Sequence, residues 1–364
     1  MGKKSDTKSK IVEYILQNGE TSKVELSKEL NLSMPTVLSS ISELIEMNII
    51  QEIGEYHSTG GRKAKTLGIN KSFRYSVGIN ITQNHIAMVL INFSGEVKMQ
   101  LRKRLKFSTD FEYFLNITEE LNSFIENSQK SNFILGVGIS LPGIVDKENC
   151  MLIKSHALQL ENYSLHIFEQ IIKYPIYFEN DANASIMSEN LTKNDTAIYL
   201  SLNNTVGGSI FFDGTLFTGK NHRAGEFGHM ILKQNGKKCY CGKKGCADAY
   251  CSANVLTKST DGNLDMFMEK VRNKDLQSIQ IWNEYLEYLA ILISNLRMAY
   301  DVDIILGGDV GGILKDYILD LNKNLLKYNL FDNDFSYLKN CKYPKEATAI
   351  GVAKYFIRQY IQLI

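Results

Sequence analysis

The chain has 364 residues, 44% of them hydrophobic and 22% charged, with a net charge of +1. Those figures suit a globular protein of two or three domains, and there is no apolar run of eighteen residues to cross a membrane. The near-neutral balance means that any nucleic-acid contact must come from local basic patches. The basic start (Lys3, Lys4, Lys8, Lys10) precedes no apolar signal-peptide core, so export is not expected. Of six cysteines, Cys239, Cys241 and Cys246 crowd into one loop, while Cys150, Cys251 and Cys341 are scattered. This usage fits a reducing cytoplasm better than a disulfide framework, and a cytoplasmic location is expected.

The first seventy residues read as three helices and a hairpin. Ile11, Ile15 and Leu16 form one apolar stripe, and Val24, Leu26 and Leu30 a second. The segment Asn31-Leu32-Ser33 breaks the chain, with Ser33 placed as an N-cap and Pro35 in the first turn of the next helix. Val37, Ile41, Leu44 and Ile45 continue at helical spacing, which leaves Thr36, Ser39, Ser40 and Glu43 on the outer surface. A helix, a tight turn and a second helix that exposes small hydroxyl residues form a helix-turn-helix. Ser33, Thr36, Ser39 and Ser40 are its candidate contacts to bases or phosphates.

Residues 49–53 and 65–69 read as the two strands of a wing, with Ser58-Thr59-Gly60-Gly61-Arg62-Lys63 between them. Arg62 suits a narrow minor groove, and Lys63 and Lys65 suit phosphates. The segment 1–70 holds nine Lys/Arg and nine Asp/Glu, but its bases gather in the tail and the wing. The competing interpretation is a small helical interaction domain with a basic loop.

After Asn70, strands alternate with helices. Apolar strand runs occupy 75–81, 86–91 and 134–140, and a helix is expected from about Asp110 to Asn127. Tyr177-Phe178-Glu179 leads into Asn180-Asp181-Ala182-Asn183, followed by a helical stretch from Ala184 to Asn190. A second set begins at 197–202, continues through 207–214 and a long helical region at about 263–299, and returns to strand at 303–308. Two such α/β units suggest a ligand cleft between lobes.

The densest chemistry lies near the middle of the chain. Cys239, Cys241 and Cys246 follow Gly228-His229 by about ten positions, which gives three thiols and one imidazole in a short glycine-containing loop. His229, Cys239, Cys241 and Cys246 make a tetrahedral Cys₃His set for Zn²⁺. A metal-free, reduced loop is the alternative, and a zinc sensor that controls DNA binding is another. A closed four-ligand set favours a permanent structural metal that stiffens the pocket behind it.

The order of these motifs resembles that of the ROK family (repressors, open reading frames and sugar kinases). It is carried by the winged helix with Gly60-Gly61-Arg62, by 179–183, by Ala224-Gly225-Glu226-Phe227-Gly228-His229, by the Cys239–Cys246 loop and by Leu306-Gly307-Gly308. The resemblance spans essentially the whole chain. It implies an α/β fold in which the winged helix-turn-helix (1–70) precedes a two-lobed actin/hexokinase-like (ribonuclease H-like) sugar domain (71–364). Lobe 1 is expected at about 71–190 plus the C-terminal helix, and lobe 2 at about 191–345.

Family members with a winged helix are typically sugar-operon repressors, responsive for example to xylose or N-acetylglucosamine, and oligomeric. The resemblance also implies that Asp181 matches the kinases' catalytic base and that Asn180, Asp181, Glu226, His229 and Asp248 match their sugar contacts. Asp248 stands where the family has a Glu, and Gly143 matches the loop that closes over the sugar. The phosphate side departs from the family. The kinase Asp-Ile-Gly-Gly-Thr is here Asn80-Ile81-Thr82-Gln83-Asn84, and Gly-Thr-Gly-Ile-Gly-Gly-Gly is Asn203-Asn204-Thr205-Val206-Gly207-Gly208-Ser209.

The expectation is therefore a non-enzymatic, sugar-responsive repressor, with xylose first among candidate effectors. Operator DNA, a monosaccharide and a second or fourth copy of the chain are its expected partners, with no membrane involved. A working ATP-dependent sugar kinase is the alternative.

Overall fold

A computed structural model describes residues 3–55, 65–328, 331–332 and 334–364. Gly60, Gly61, Arg62 and Lys63 of the expected wing tip lie outside the described residues. Three helices come first, α1 (Lys3–Asn18), α2 (Lys23–Glu29) and α3 (Met34–Glu46). Ser22 caps α2 by accepting from the Glu25 N–H at 3.2 Å, and Ser33 caps α3 by accepting from the Thr36 N–H at 3.4 Å. Ile11, Val12, Ile15, Leu26, Val37, Ile41 and Leu44 are buried together as the small core of this region.

Three sequence expectations need correction here. Ser40 is only 7% exposed, so it is not on the outer face of α3. It stands three residues after Val37 and four before Leu44, and at 3.6 residues per turn that places it on the inward face. The outward face carries Thr36, Ser39 and Ser42 instead. Val24 and Ile45, expected in the apolar stripes, are 63% and 37% exposed.

β1 (Ile50–Glu55) pairs antiparallel with β2 (Lys65–Ile69), with a bulge between Glu52 and Gly54. Lys65 bonds Glu52 across the pair. Thr21 bridges to Leu67 and ties the hairpin to the helices.

Five further strands form one sheet. They are β3 (Tyr75–Ile81), β4 (His85–Asn92), β5 (Val97–Arg104), then β6 (Ile134–Leu141) after helix α4 (Phe111–Ser128), and a fifth introduced below. β3 and β4 are apolar along nearly their whole length because both faces are covered, whereas β5 alternates, as a strand open on one face does. The short strands β7 (Ile144–Asp146), β8 (Met151–Ser155) and β9 (Leu160–Ser164) make a separate small sheet. Helix α5 (His166–Ile171) leads to β10 (Ile176–Asn180), which completes the order β10-β6-β3-β4-β5.

Helix α6 (Asp181–Ser188) follows without a gap. A second five-stranded sheet is then laid down by β11 (Ala197–Leu202), β12 (Val206–Phe212) and β13 (Thr215–Leu216). After the cysteine loop come α7 (Asp248–Cys251), α8 (Ala253–Thr257), α9 (Leu264–Arg272) and the long α10 (Leu276–Tyr300). β14 (Asp303–Gly307), α11 (Gly308–Leu314), α12 (Ile318–Leu325) and β15 (Leu338–Asn340) close the order β13-β12-β11-β14-β15. β11 is antiparallel to β12 and parallel to β14. Its core packs Ile198 and Leu200 against Leu289, Ile293 and Leu296 of α10.

Helix α13 (Ala347–Leu363) ends the chain. Residue contacts gather Met1–Ile139, Leu165–Phe178 and Val352–Ile364 into one unit, and Ser140–Ser164 and Glu179–Gly351 into another. In the first unit α13 lies directly on β6. A Cβ added at Gly138 would stand 2.3 Å from the Val352 carbonyl oxygen, so only glycine allows this approach.

Gly138→Ala is accordingly expected to cost about 1–3 kcal/mol. In urea it should lower the unfolding midpoint of this unit while leaving the slope unchanged.

Candidate sugar and metal site

Every residue of this site belongs to the second unit. Asn180 is the last residue of β10 and the N-cap of α6. Its Oδ1 accepts from the Ala182 and Asn183 N–H groups at 2.9 and 3.1 Å, and its Nδ2 donates to the Gly143 carbonyl at 2.7 Å. Gly143 has φ +125°, and a Cβ there would meet the Lys154 carbonyl oxygen at 2.4 Å. The structure thus places Asn180 and Gly143, both expected at the sugar site, in direct contact, and the glycine is required by the turn. Below them Glu179, almost fully buried, pairs with Lys147 at 2.7 Å and accepts from Asn183 Nδ2 at 3.1 Å.

This scaffold sets Asp181 at the first position of α6, where its Oδ1 accepts from the Ala182 N–H at 2.9 Å. Burial pushes the Asp181 carboxyl up to about 6, and the nearby Glu226 carboxylate pushes in the same direction, against the Ala182 and Asn180 hydrogen bonds. Glu226 is itself raised by burial, partly offset by His156 and Arg223. Two neighbouring acids with raised affinity for protons can each donate or accept, as vicinal hydroxyl groups require.

Asp248, at the start of α7, is 6% exposed, and its Oδ1 accepts from the Val206 N–H at 2.7 Å. Burial raises it to about 6. This shorter acid therefore anchors the start of β12 with one oxygen.

His229 sits on a single turn of 3₁₀ helix, Phe227–His229, and faces two ways. Its Nδ1 lies 3.8 Å from Cys239 Sγ; its Nε2 lies 3.8 Å from Glu226 Oε2 and 3.2 Å from Tyr240 Oη. Desolvation lowers its proton affinity, aided by Lys243 and His156. Cys241 Sγ and Cys246 Sγ are 3.7 Å apart, and one ligand atom from each of His229, Cys239, Cys241 and Cys246 falls within 4.8 Å of all the others. With metal–sulfur bonds of about 2.3 Å, the sulfur–sulfur edge of a tetrahedron is about 3.8 Å, so the four groups fit a metal ion of that size. The loop closes through Cys239 N–H to Lys243 O at 2.9 Å and Gly242 N–H to Cys239 O at 3.0 Å. Gly245 has φ +85°, and an added Cβ would lie 1.8 Å from the Lys233 carbonyl oxygen.

Two neighbours had no sequence signal. His156 follows β8, far away in sequence, and its ring lies 5.6 Å from that of Tyr240. The Tyr240 ring also lies 5.2 Å from His229, edge to face. Only the folded loops bring these rings together. Burial raises the Tyr240 phenol, and Asp248 adds to the effect.

Comparison with known proteins identifies the family. The profile of the ROK family matches residues 76–359, and one for winged helix-turn-helix DNA-binding domains matches residues 4–51. The chain belongs to the ROK family. Its fold is a winged helix-turn-helix followed by an actin/hexokinase-like α/β domain. A protein named xylose repressor from Bacillus spizizenii is 24% identical over 374 residues, covering 97% of this chain and 95% of the relative. Another xylose repressor, from Caldicellulosiruptor bescii, is 32% identical over 253 residues, 68% of this chain and 63% of its own. The Escherichia coli K12 regulator NagC is 24% identical over 260 residues, 70% and 64%.

Among solved structures, a ROK family transcriptional regulator described as a homologue of the E. coli MLC protein superposes with a TM-score of 0.75 at 20% identity, covering 99% of this chain and 96% of its own. A ROK family glucokinase from Streptomyces griseus, solved with glucose and AMPPNP, superposes with a TM-score of 0.65 at 20% identity, covering 77% and 98%. At this identity the likeness is one of fold.

The raised Asp181 carboxyl has a measurable cost. The folded chain keeps this proton up to about pH 6, whereas an unfolded Asp releases it near 3.8. Folding therefore takes up a proton between those values, and stability falls as pH rises through that window. Asp181→Asn, which is neutral and can still accept from Ala182, should raise the melting temperature at pH 7.5. The gain should vanish near pH 4, as followed by thermal denaturation across pH.

Proposed function

We propose that the protein is a sugar-responsive transcriptional repressor of a carbohydrate-utilisation operon, and not an enzyme. It binds operator DNA through its winged helix and releases it when a monosaccharide occupies the cluster around Asp181. The observation that carries this reading is the contrast between the sugar-side and the phosphate-side residues. Asn180, Asp181, Glu226 and His229 gather polar atoms suited to a polyol. On the phosphate side, Asn203 Oδ1 accepts from the Asp309 N–H at 2.8 Å, and Asn203 Nδ2 donates to Ser201 Oγ at 3.0 Å. Phosphate turns work by leaving such backbone N–H groups free for the nucleotide. Here the chain's own amide takes one of them, and at Asn80 an amide replaces the kinases' acid, which weighs against a sugar kinase.

Residues 1–70 are the DNA-binding domain and 71–364 the sensing domain, with lobes at about 71–190 plus the C-terminal helix and about 191–345. Full-length relatives named xylose repressors support this reading and make xylose the leading effector. Ser33, Thr36 and Ser39 at the exposed start of α3 contact the operator together with Arg62, Lys63 and Lys65. Ser40, being buried, is not among them. A homodimer, or a tetramer built from it, reads two half-sites. His229, Cys239, Cys241 and Cys246 hold a structural Zn²⁺, whose charge would keep the three thiols ionised and the loop closed. Gly143 and Asp248 shape the sugar site from its edges, Gly143 through Asn180 and Asp248 through Val206.

Sugar and operator must weaken each other by the same factor, because both act on one equilibrium. In gel-shift titrations with an identified operator, Asp181→Asn should bind DNA like the wild type and fail to release it on adding xylose. Release at the wild-type xylose concentration would refute the reading.

Elemental analysis of purified protein should find about one zinc per chain. Cys241→Ser should lower that content and the melting temperature together, and a fully stable, zinc-free wild type would contradict the metal assignment.

A further inference from the structure

The mutual placement of Tyr240 and His229 carries one step more, resting on the sugar reading above. Tyr240 stands between two of the loop cysteines, Cys239 and Cys241, so the loop that gathers the thiols also fixes its backbone. Its side chain is half exposed, but its ring is held edge to face by two imidazoles, His229 at 5.2 Å and His156 at 5.6 Å. Its Oη lies 3.2 Å from His229 Nε2.

An imidazole that gives Nδ1 to a metal keeps one proton, on Nε2. Nε2 is then a single donor facing two acceptors in this structure, Tyr240 Oη at 3.2 Å and Glu226 Oε2 at 3.8 Å. The nearer one is the phenol. Any ligand hydroxyl that meets Nε2 must take over the same proton.

We propose that Tyr240 is an internal competitor for the effector: its phenol oxygen holds the His229 Nε2 proton and yields it to a sugar hydroxyl, setting a threshold on sugar affinity. The phenol thus discriminates against sugars that bury themselves beside His229 without offering a hydroxyl to Nε2, because such a ligand displaces the Tyr240 bond and returns nothing. The metal loop and the sugar site are joined in this way by one side chain as well as by His229.

Tyr240→Phe keeps the ring and its two edge contacts while removing the oxygen. A lost competing hydrogen bond is worth about 0.5–1.5 kcal/mol, so the variant should bind sugar roughly two- to tenfold more tightly. The test is calorimetric titration of zinc-loaded, full-length wild type and Tyr240→Phe with D-xylose, D-glucose and N-acetyl-D-glucosamine. Nitrogen-15 NMR of the His229 side chain, recorded on the same samples, should find faster solvent exchange of the Nε2 proton in the variant. A merely structural role for the phenol would instead weaken sugar binding. Equal or weaker binding by Tyr240→Phe, or unchanged proton exchange, overturns the role of Tyr240 while leaving the sugar site in place. If none of the three sugars binds either protein, the sugar reading falls and the competition proposal with it. Tyr240→Leu guards against misfolding, since it too lacks the oxygen and should also bind more tightly than wild type; weaker binding by both variants overturns the proposal.

Discussion

The side chain of Asn180 is the joint on which the candidate site turns. One amide makes three hydrogen bonds in two directions, two to the opening N–H groups of α6 and one to the Gly143 carbonyl. A helix leaves its first N–H groups without partners, and an N-cap that satisfies two of them fixes where the helix begins. Because α6 begins there, Asp181 is held at its first position, at the end of β10. Because Gly143 is bonded to the same amide, the turn after β6 is held beside it. The pair that buried Glu179 makes with part-exposed Lys147 underneath leaves this joint little freedom to shift.

A second joint is built by different chemistry. His229 presents its two ring nitrogens to two neighbourhoods: Nδ1 lies beside the thiols, and Nε2 faces Glu226 and Tyr240. Backbone hydrogen bonds from Cys239 to Lys243, Gly242 to Cys239 and Gly245 to Lys237 tie the loop down, with Cys239 and Cys246 buried. The four groups lie within 4.8 Å of one another, which sets the imidazole beside the thiols and toward the Glu226 carboxylate. Gly225 and Gly245 permit this path, since a Cβ at either would lie within 2.3 Å of a backbone oxygen.

The same site is held at a thermodynamic disadvantage. Asp181 and Asp248 are both raised to about 6 by burial, so near neutral pH each is ionised at a cost that the rest of the fold must offset. A structure selected only for stability would place apolar or amide groups there. The offset comes from elements such as α10 and β11, whose buried Leu, Ile and aromatic residues form the large core of the unit. Carboxylates set close together and partly dry bind hydroxyl groups more strongly than they would in water.

Much of this was legible from the chain alone. Spacing in the Cys239–Cys246 loop pointed to the thiols that the structure gathers beside His229, because three thiols within eight residues can reach one point whatever the remainder does. The apolar runs at 75–81 and 197–202 named buried strands, since only a strand covered on both faces is apolar throughout. The sequence places a helix from Ala184 to Asn190, whereas α6 begins three residues earlier, at Asp181, with Asn180 as its cap. What the sequence could not decide was direction and neighbourhood. Ser39 and Ser40 are chemically identical neighbours, and one faces solvent while the other is buried, because 100° of helix separates them and Val37 and Leu44 define the inner face. Asp248 was expected only as a sugar contact, yet its carboxylate meets the Val206 N–H, a partner forty-two residues away that only tertiary packing supplies. His156 and Tyr240 have no local pattern at all. Contacts between residues distant in sequence depend on how loops and sheets close, and that is settled by the packing of the whole unit.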